Sequence, residues 1–359
     1  MASFKEFLKR KNIEISAKRY GIDALGAMAH GLFCSLLIGT IFKTLGSQLG
    51  VQMLTDIGTY ASAVSGPAMA VAIGFALKAD PMVLYSLAAV GWAANAEGGA
   101  GGPLAVLVIA IIAAECGKLV SKETRIDILV TPGVTIFVGV ALAKLIAPPI
   151  GTAASAFGLM IDSATKLQPF LMGIAVSVLV GIALTLPISS AAICSVLGLT
   201  GLAGGAAVAG CCAQMVGFAV MSFRENRWGG IVSQGLGTSM LQMGNIVRNP
   251  RIWIPPTIAS AITGPIATCL FKLQMNGAPV NSGMGTCGLC GPIGVWTGWV
   301  APSEKAVEMV NAVAISPTAM DWIGLLLICI VLPAVLTPII ALPLRKIGWI
   351  KDGDLKLDL

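Results

Sequence analysis

Apolar residues along this chain come in long blocks, separated by short polar or basic connections. Crossing a bilayer takes about 20 apolar residues in a helix. Blocks of that order fall at 22–42, 58–77, 103–120, 128–147, 168–187, 202–222, 252–272 and 320–343. Two further stretches, 82–95 and 189–200, are shorter or more broken. From residue 167 to 223 there is no charged residue, and Pro187 with the glycines at 198–205 divides this run into a span, a short helix and a span. The pattern predicts an all-α polytopic membrane protein. It has about ten crossings if the two short stretches are counted, together with re-entrant segments. Strand-like alternation is missing and only 3 Tyr and 11 Phe are present, which argues against an outer-membrane barrel.

Composition agrees. Hydrophobic residues make up 56% of the 359 residues and charged residues 11%, with a mean hydropathy of +0.87. A soluble domain carries about 25% charged residues. The 43 glycines fit helices that approach closely in a membrane. No stretch has the composition of a separate soluble catalytic domain. The expected organisation is a basic tail at 1–21, one transmembrane domain at 22–344 and a C-terminal tail at 345–359.

Charge then orients the spans. The N-terminal tail holds Lys5, Lys9, Arg10, Lys11, Lys18 and Arg19. The apolar run behind it has no clear small-residue cleavage site, so it reads as a retained first helix and not a removed signal. Basic clusters recur at 118–125, at 224–227 and at the C-terminal end. Ten crossings place all of these, and both termini, on the cytoplasmic side. The net charge of +6 is scattered between spans and gives no reason to expect nucleic acid.

Other segments carry weaker expectations. Residues 151–166 read as an interfacial stretch, and 303–315 as a helix capped by Ser303 with Glu304 in its first turn. Segment 231–247 reads as a re-entrant hairpin or an amphipathic piece. A degenerate internal repeat aligns Pro67, Gly102-Pro103, residues 122–125 and Pro132 with Pro187, Gly204-Gly205, residues 224–227 and Pro255-Pro256.

Candidate chemistry sits in the polar breaks. Asn95-Ala-Glu97-Gly-Gly places a carboxamide and a carboxylate in a glycine-rich turn, and lipid tolerates neither an open backbone nor a lone carboxylate. Glu97 could accept hydrogen bonds from solute hydroxyls or act as a protonatable coupling group. The bland alternative is a loop carboxylate at the membrane surface. His30, the single histidine, lies mid-span; it is either a relay or solute contact or a neutral imidazole bonded to a neighbouring helix. Glu115 reads as a partner of Lys118 at i, i+3. The run from 276 to 294 holds six glycines between 277 and 294, with Asn281, Ser282 and Thr286 able to cradle a polar ligand. Gln234, Gln242 and Asn245 offer donors and acceptors suited to a polyhydroxylated solute. Residues 187–190 open a short helix whose free amides could face substrate. Cys287 and Cys290 form a C-x-x-C without a second cysteine pair or a nearby histidine, so tight packing is favoured over zinc or redox chemistry. No metal site, catalytic nucleophile or cofactor motif is evident.

These features together resemble a known family. The Ser65-Gly-Pro-Ala-Met-Ala70 and Ala79-Asp-Pro81 segments, Asn95-Ala-Glu97-Gly-Gly and Asn281-Ser-Gly-Met-Gly look like the membrane-embedded EIIC component of the sugar phosphotransferase system. Within that family the chain resembles the branch containing the perfringolysin O regulator. The resemblance implies a homodimeric permease of the bacterial cell (inner) membrane. It implies a sugar held by a Glu and a His, for which Glu97 and His30 are the candidates, and separate EIIA and EIIB proteins as phosphoryl donors. Two other readings stay open: an ion-coupled secondary transporter on the same scaffold, and a membrane solute sensor that does not transport.

Overall fold

The computed structural model describes residues 4–357. Helices account for the regular structure among the described residues, with one isolated β-bridge and no named strand. The chain divides into two compact units, Met1–Ala154 and Ser155–Leu359.

In the first unit, α1 (Phe4–Arg10) precedes α2 (Ala24–Leu32) and α3 (Ile38–Leu49), which a π turn at Phe33–Leu37 joins into a continuous helix, Arg19–Leu49. Next come α4 (Gln52–Ala63) and α5 (Ser65–Ala76), bent by 49° at Val64. The expected span 58–77 is thus a broken one. Then follow α6 (Pro81–Gly98), α7 (Gly102–Val120) and α8 (Asp127–Thr165).

By length alone, Pro81–Val120 is a single 40-residue span. Packing shows that it is two. A Cβ built on Gly117 would lie 2.9 Å from Val83 Cγ1, whereas a straight helix would hold those residues about 50 Å apart. Gly99, at φ +50° and ψ −122°, makes the reversal, in a region open only to glycine. The expected short segment 82–95 is therefore an 18-residue helix. It gains length because Pro81 starts the helix early and Ala96-Glu97-Gly98 continues it. Small residues let the elements touch: Gly66 and Gly91 meet backbone to backbone across α5 and α6.

α8 also departs from expectation. It runs 39 residues through Pro148 and Pro149, so 151–166 continues the helix and is not a separate interfacial piece. Each proline removes one backbone donor, yet the α-helix is unbroken from Asp127 to Thr165.

In the second unit, α9 (Pro169–Thr185), α10 (Ser190–Val196) and α11 (Gly201–Met221) come first. α12 (Phe223–Val232) and α13 (Met243–Arg248) flank two irregular helical turns, then α14 (Ile254–Pro265) runs into a π turn at Ile266–Leu270. The unit closes with α15 (Cys290–Val300), α16 (Glu304–Val310), α17 (Ala319–Leu326) and α18 (Leu332–Lys346). α11 is the central element, buried almost throughout, and packs against α9, α14 and α18. Its glycines permit this: Gly210 lies against the Ser177 carbonyl and Gly205 against the Leu273 carbonyl, positions where a Cβ has no room.

Among the described residues, five helical stretches are long and apolar enough to cross a membrane, or six with the bent pair: Arg19–Leu49, Pro81–Val120 (counted once, though it folds back as α6 and α7), Asp127–Thr165, Gly201–Met221, Ala319–Lys346 and α4 with α5. The many exposed large apolar side chains, among them Phe75, Tyr85, Phe137 and Leu145, suit a lipid-facing surface. Helix lengths do not reproduce the suggested repeat, since α6 has 18 residues and its counterpart α10 has seven.

Candidate functional site

In the second unit the two glycine-rich breaks meet. α9 stops before Pro187, and α10 starts where the Ser189 side chain accepts from the Ala192 amide at 3.2 Å. The chain then unwinds through Gly198, which sits at φ +60°, to reach α11. The second break runs from 271 to 289, between the π turn after α14 and the start of α15. Residues from the two breaks pair as a β-bridge: Gly201 donates to the Met275 carbonyl at 3.1 Å and Met275 to the Gly201 carbonyl at 3.0 Å. Two buried hydroxyls complete the joint. Ser190 donates to the Gly283 carbonyl at 2.7 Å, and Ser282 donates to the Leu199 carbonyl at 2.6 Å. Gly285, at φ +51°, lies against the Cys211 backbone where no side chain fits.

Two cavities flank this crossing. The larger, about 450 Å³, has a wall of Leu197 to Ala203 and is also lined by Met172, Met309 and Val310, with Asp162, Thr165 and Gln274 as further polar groups. The smaller, about 150 Å³, is lined by Gln274, Asn276, Trp299, Lys272 and Asp321 with apolar neighbours. Gln274 borders both. Asn276 is 5% exposed and its Nδ2 donates to Gln274 Oε1 at 3.0 Å, while its Oδ1 is buried and accepts no hydrogen bond. Such an acceptor costs about 1–3 kcal/mol if nothing donates to it. An indole beside carboxamides suits the apolar face and hydroxyl edge of a polyol.

Other expected residues are placed differently. Ser282 is spent on the Leu199 carbonyl, and Thr286, buried, donates to Met215 Sδ at 3.7 Å. Asn281 is half-buried against Gly294. Gln234, Gln242 and Asn245 form a buried chain: Asn245 donates to Gln242 Oε1 at 2.8 Å, and Gln242 to Gln234 Oε1 at 2.9 Å. Gln242 and Asn245 also donate to the carbonyls of Leu355 and Lys356, at 3.0 and 2.8 Å. Their donors hold the C-terminal segment, so they frame no open cleft. Segment 231–247 is broken into short helical turns and is no regular span, and 237–246 is buried throughout.

Glu97, Asn95 and His30 belong to the first unit. Glu97, at the tip of the α6–α7 hairpin, is partly exposed and pairs with Lys144 of α8. Asn95 is half-buried facing Gly102, whose Cβ position lies 2.5 Å from Asn95 Oδ1. His30 is exposed on α2. At the other end of the hairpin Asp80 accepts from Ser121 at 2.9 Å and pairs with Lys122, while Arg10 and Lys11 both pair with Glu123. The N-terminal tail and the 118–125 loop thus share one end of the unit, as the charge pattern requires. Lys118 pairs with Glu115 at 2.8 Å, as expected from their spacing.

Sequence reading passed over Gln274, Asn276 and Gln214. Gln214 is fully buried on α11 and accepts from Trp253 Nε1 at 3.0 Å, while its Nε2 donates to Thr257 at 3.3 Å. A carboxamide inside an otherwise chargeless run was the available signal. Cys287 and Cys290 are buried in glycine-packed backbone.

Residues 22–357 match the family described as phosphotransferase system, EIIC, and the chain belongs to that family. No curated protein and no solved structure matches it. Membership with the apolar helices makes this a multi-pass membrane protein, an EIIC-type permease component of a phosphotransferase system.

Proposed function

We propose that the protein carries a small polar, sugar-like solute, and that the crossing of the two breaks in the second unit is where the solute binds. The observation that carries this reading is Asn276, which lines a cavity beside Gln274 and Trp299 and whose buried Oδ1 accepts no hydrogen bond. Transport sites are often built where helices are interrupted and backbone lines a cavity. Ten crossings, both termini in the cytoplasm, a homodimer in the bacterial inner membrane, and separate EIIA and EIIB proteins as phosphoryl donors belong to the same proposal. Glu97, in the first unit, is proposed separately as a carboxylate that accepts hydrogen bonds from solute hydroxyls or takes up a proton during transport.

The test is uptake into proteoliposomes of a panel of labelled hexoses and hexitols. Uptake dependent on phosphoenolpyruvate and added EIIA and EIIB is expected. Uptake that follows a proton or sodium gradient without phosphoenolpyruvate would replace phosphorylation coupling with ion coupling, and binding without uptake would make the protein a sensor.

A further inference from the structure

At the end of the first unit away from Glu97, a cavity of about 370 Å³ opens between the tail and the loops that precede α6 and follow α7. Its lining carries five cationic side chains and two carboxylates. The cations differ in how far they are committed. Lys118 is 2% exposed, pairs with Glu115, and donates to the carbonyls of Asn12 at 2.8 Å and Leu77 at 3.0 Å, which fixes its charge in the floor. Lys122 is held by Asp80, and Arg10 and Lys11 share the single carboxylate of Glu123. Lys78 stands in the left-handed region at φ +55° and makes no ion pair among the described residues. That backbone conformation is uncommon for a residue with a side chain.

Positive charge therefore exceeds negative charge inside a concave, partly enclosed volume, where low-dielectric walls concentrate the field. Each carboxylate is held in its charged form by its own lysine partner. Lys122, bonded to Asp80, holds its carboxyl below the usual range, and Lys11 does the same for Glu123.

We propose that this cavity is an anion site for a phosphate monoester group, with Lys78 and Arg10 as its free and half-committed ligands and Lys118 as its fixed charge. Lysine and arginine are the usual binders of phosphate oxygens. The volume accommodates a phosphate bearing a small organic group. The same chemistry is offered by a soluble phosphate ester and by the headgroup of an acidic phospholipid. The proposal uses residues of the first unit only and stands whether or not the solute site in the second unit is correct.

Calorimetric titration of the full-length protein in a neutral maltoside detergent with glycerol 2-phosphate tests the soluble source. Native mass spectrometry with added phosphatidic acid tests the lipid source. Saturable binding of either, weakened at least tenfold by Lys78→Gln or Arg10→Gln and weakened by added salt, supports the site and says which source fills it. Lys144→Gln, at the opposite end of the unit, should leave that binding unchanged. Arg10, with a side chain 63% exposed, serves as the second variant should Lys78→Gln fail to fold. If neither probe binds, or if both variants bind as tightly as wild type, the cluster is only a latch for the N-terminal tail and the proposal is overturned.

Discussion

The hydroxyl of Ser282 donates to the carbonyl of Leu199 at 2.6 Å, tying the second glycine-rich break to the wall of the larger cavity formed by the first. Both groups are buried. Ser282→Ala should leave that carbonyl without its side-chain donor and cost about 1–3 kcal/mol. A lower thermal midpoint in detergent, with an unchanged elution volume, is the expected result.

Close backbone contact around α11 makes a stronger demand. A Cβ on Gly205 would sit on the Leu273 carbonyl, and one on Gly210 on the Ser177 carbonyl. Gly205→Ala and Gly210→Ala should each abolish the monodisperse peak in fluorescence-detected size exclusion. Gly26→Ala, where a Cβ meets nothing within 4 Å, should behave as wild type. The contrast separates crowding from a general intolerance of alanine.

Much of this was legible in the residues. Apolar blocks gave the helical class and most helix positions, and basic clusters correctly grouped the tail with the 118–125 loop, as Arg10–Glu123 shows. The Ser303 cap was readable because its signal is local: Ser303 accepts from Ala306 at 3.2 Å. The helix nevertheless stops at Val310, where Asn311 turns left-handed at φ 51°. What could not be read was which segments pair. Gln242 and Asn245 looked like solute ligands, but their partners are carbonyls more than 100 residues away. Asn276 was obscured by its glycine-rich surroundings, and its significance lies in an unpartnered atom that only packing reveals.

Glu97→Gln should leave the fold intact, because the pair with Lys144 is substantially exposed and such pairs contribute at most about 1 kcal/mol. Uptake of the transported solute should be lost. Normal uptake by a well-folded Glu97→Gln variant would reduce the residue to a tip contact with Lys144.

Asp80 gives a pH dependence with a definite sign. Its folded pKa is lowered, by the hydrogen bond from Lys122 first and that from Ser121 as well. The stabilisation is therefore complete above the ordinary carboxylate pKa of about 4 and is lost as pH falls through the lower folded value. With solvent screening it amounts to about 1 kcal/mol or less. Asp80→Asn should lower the thermal midpoint at pH 7, and the gap to wild type should close below about pH 4. A gap that persists unchanged at low pH would assign the effect to packing.

The claim that the two breaks form the solute site is tested most directly by a density map of the protein with its transported solute bound. The account predicts density within hydrogen-bonding distance of Asn276 Oδ1, bordered by Gln274 and Trp299. Solute density elsewhere, with Asn276 Oδ1 still without a donor, would contradict it.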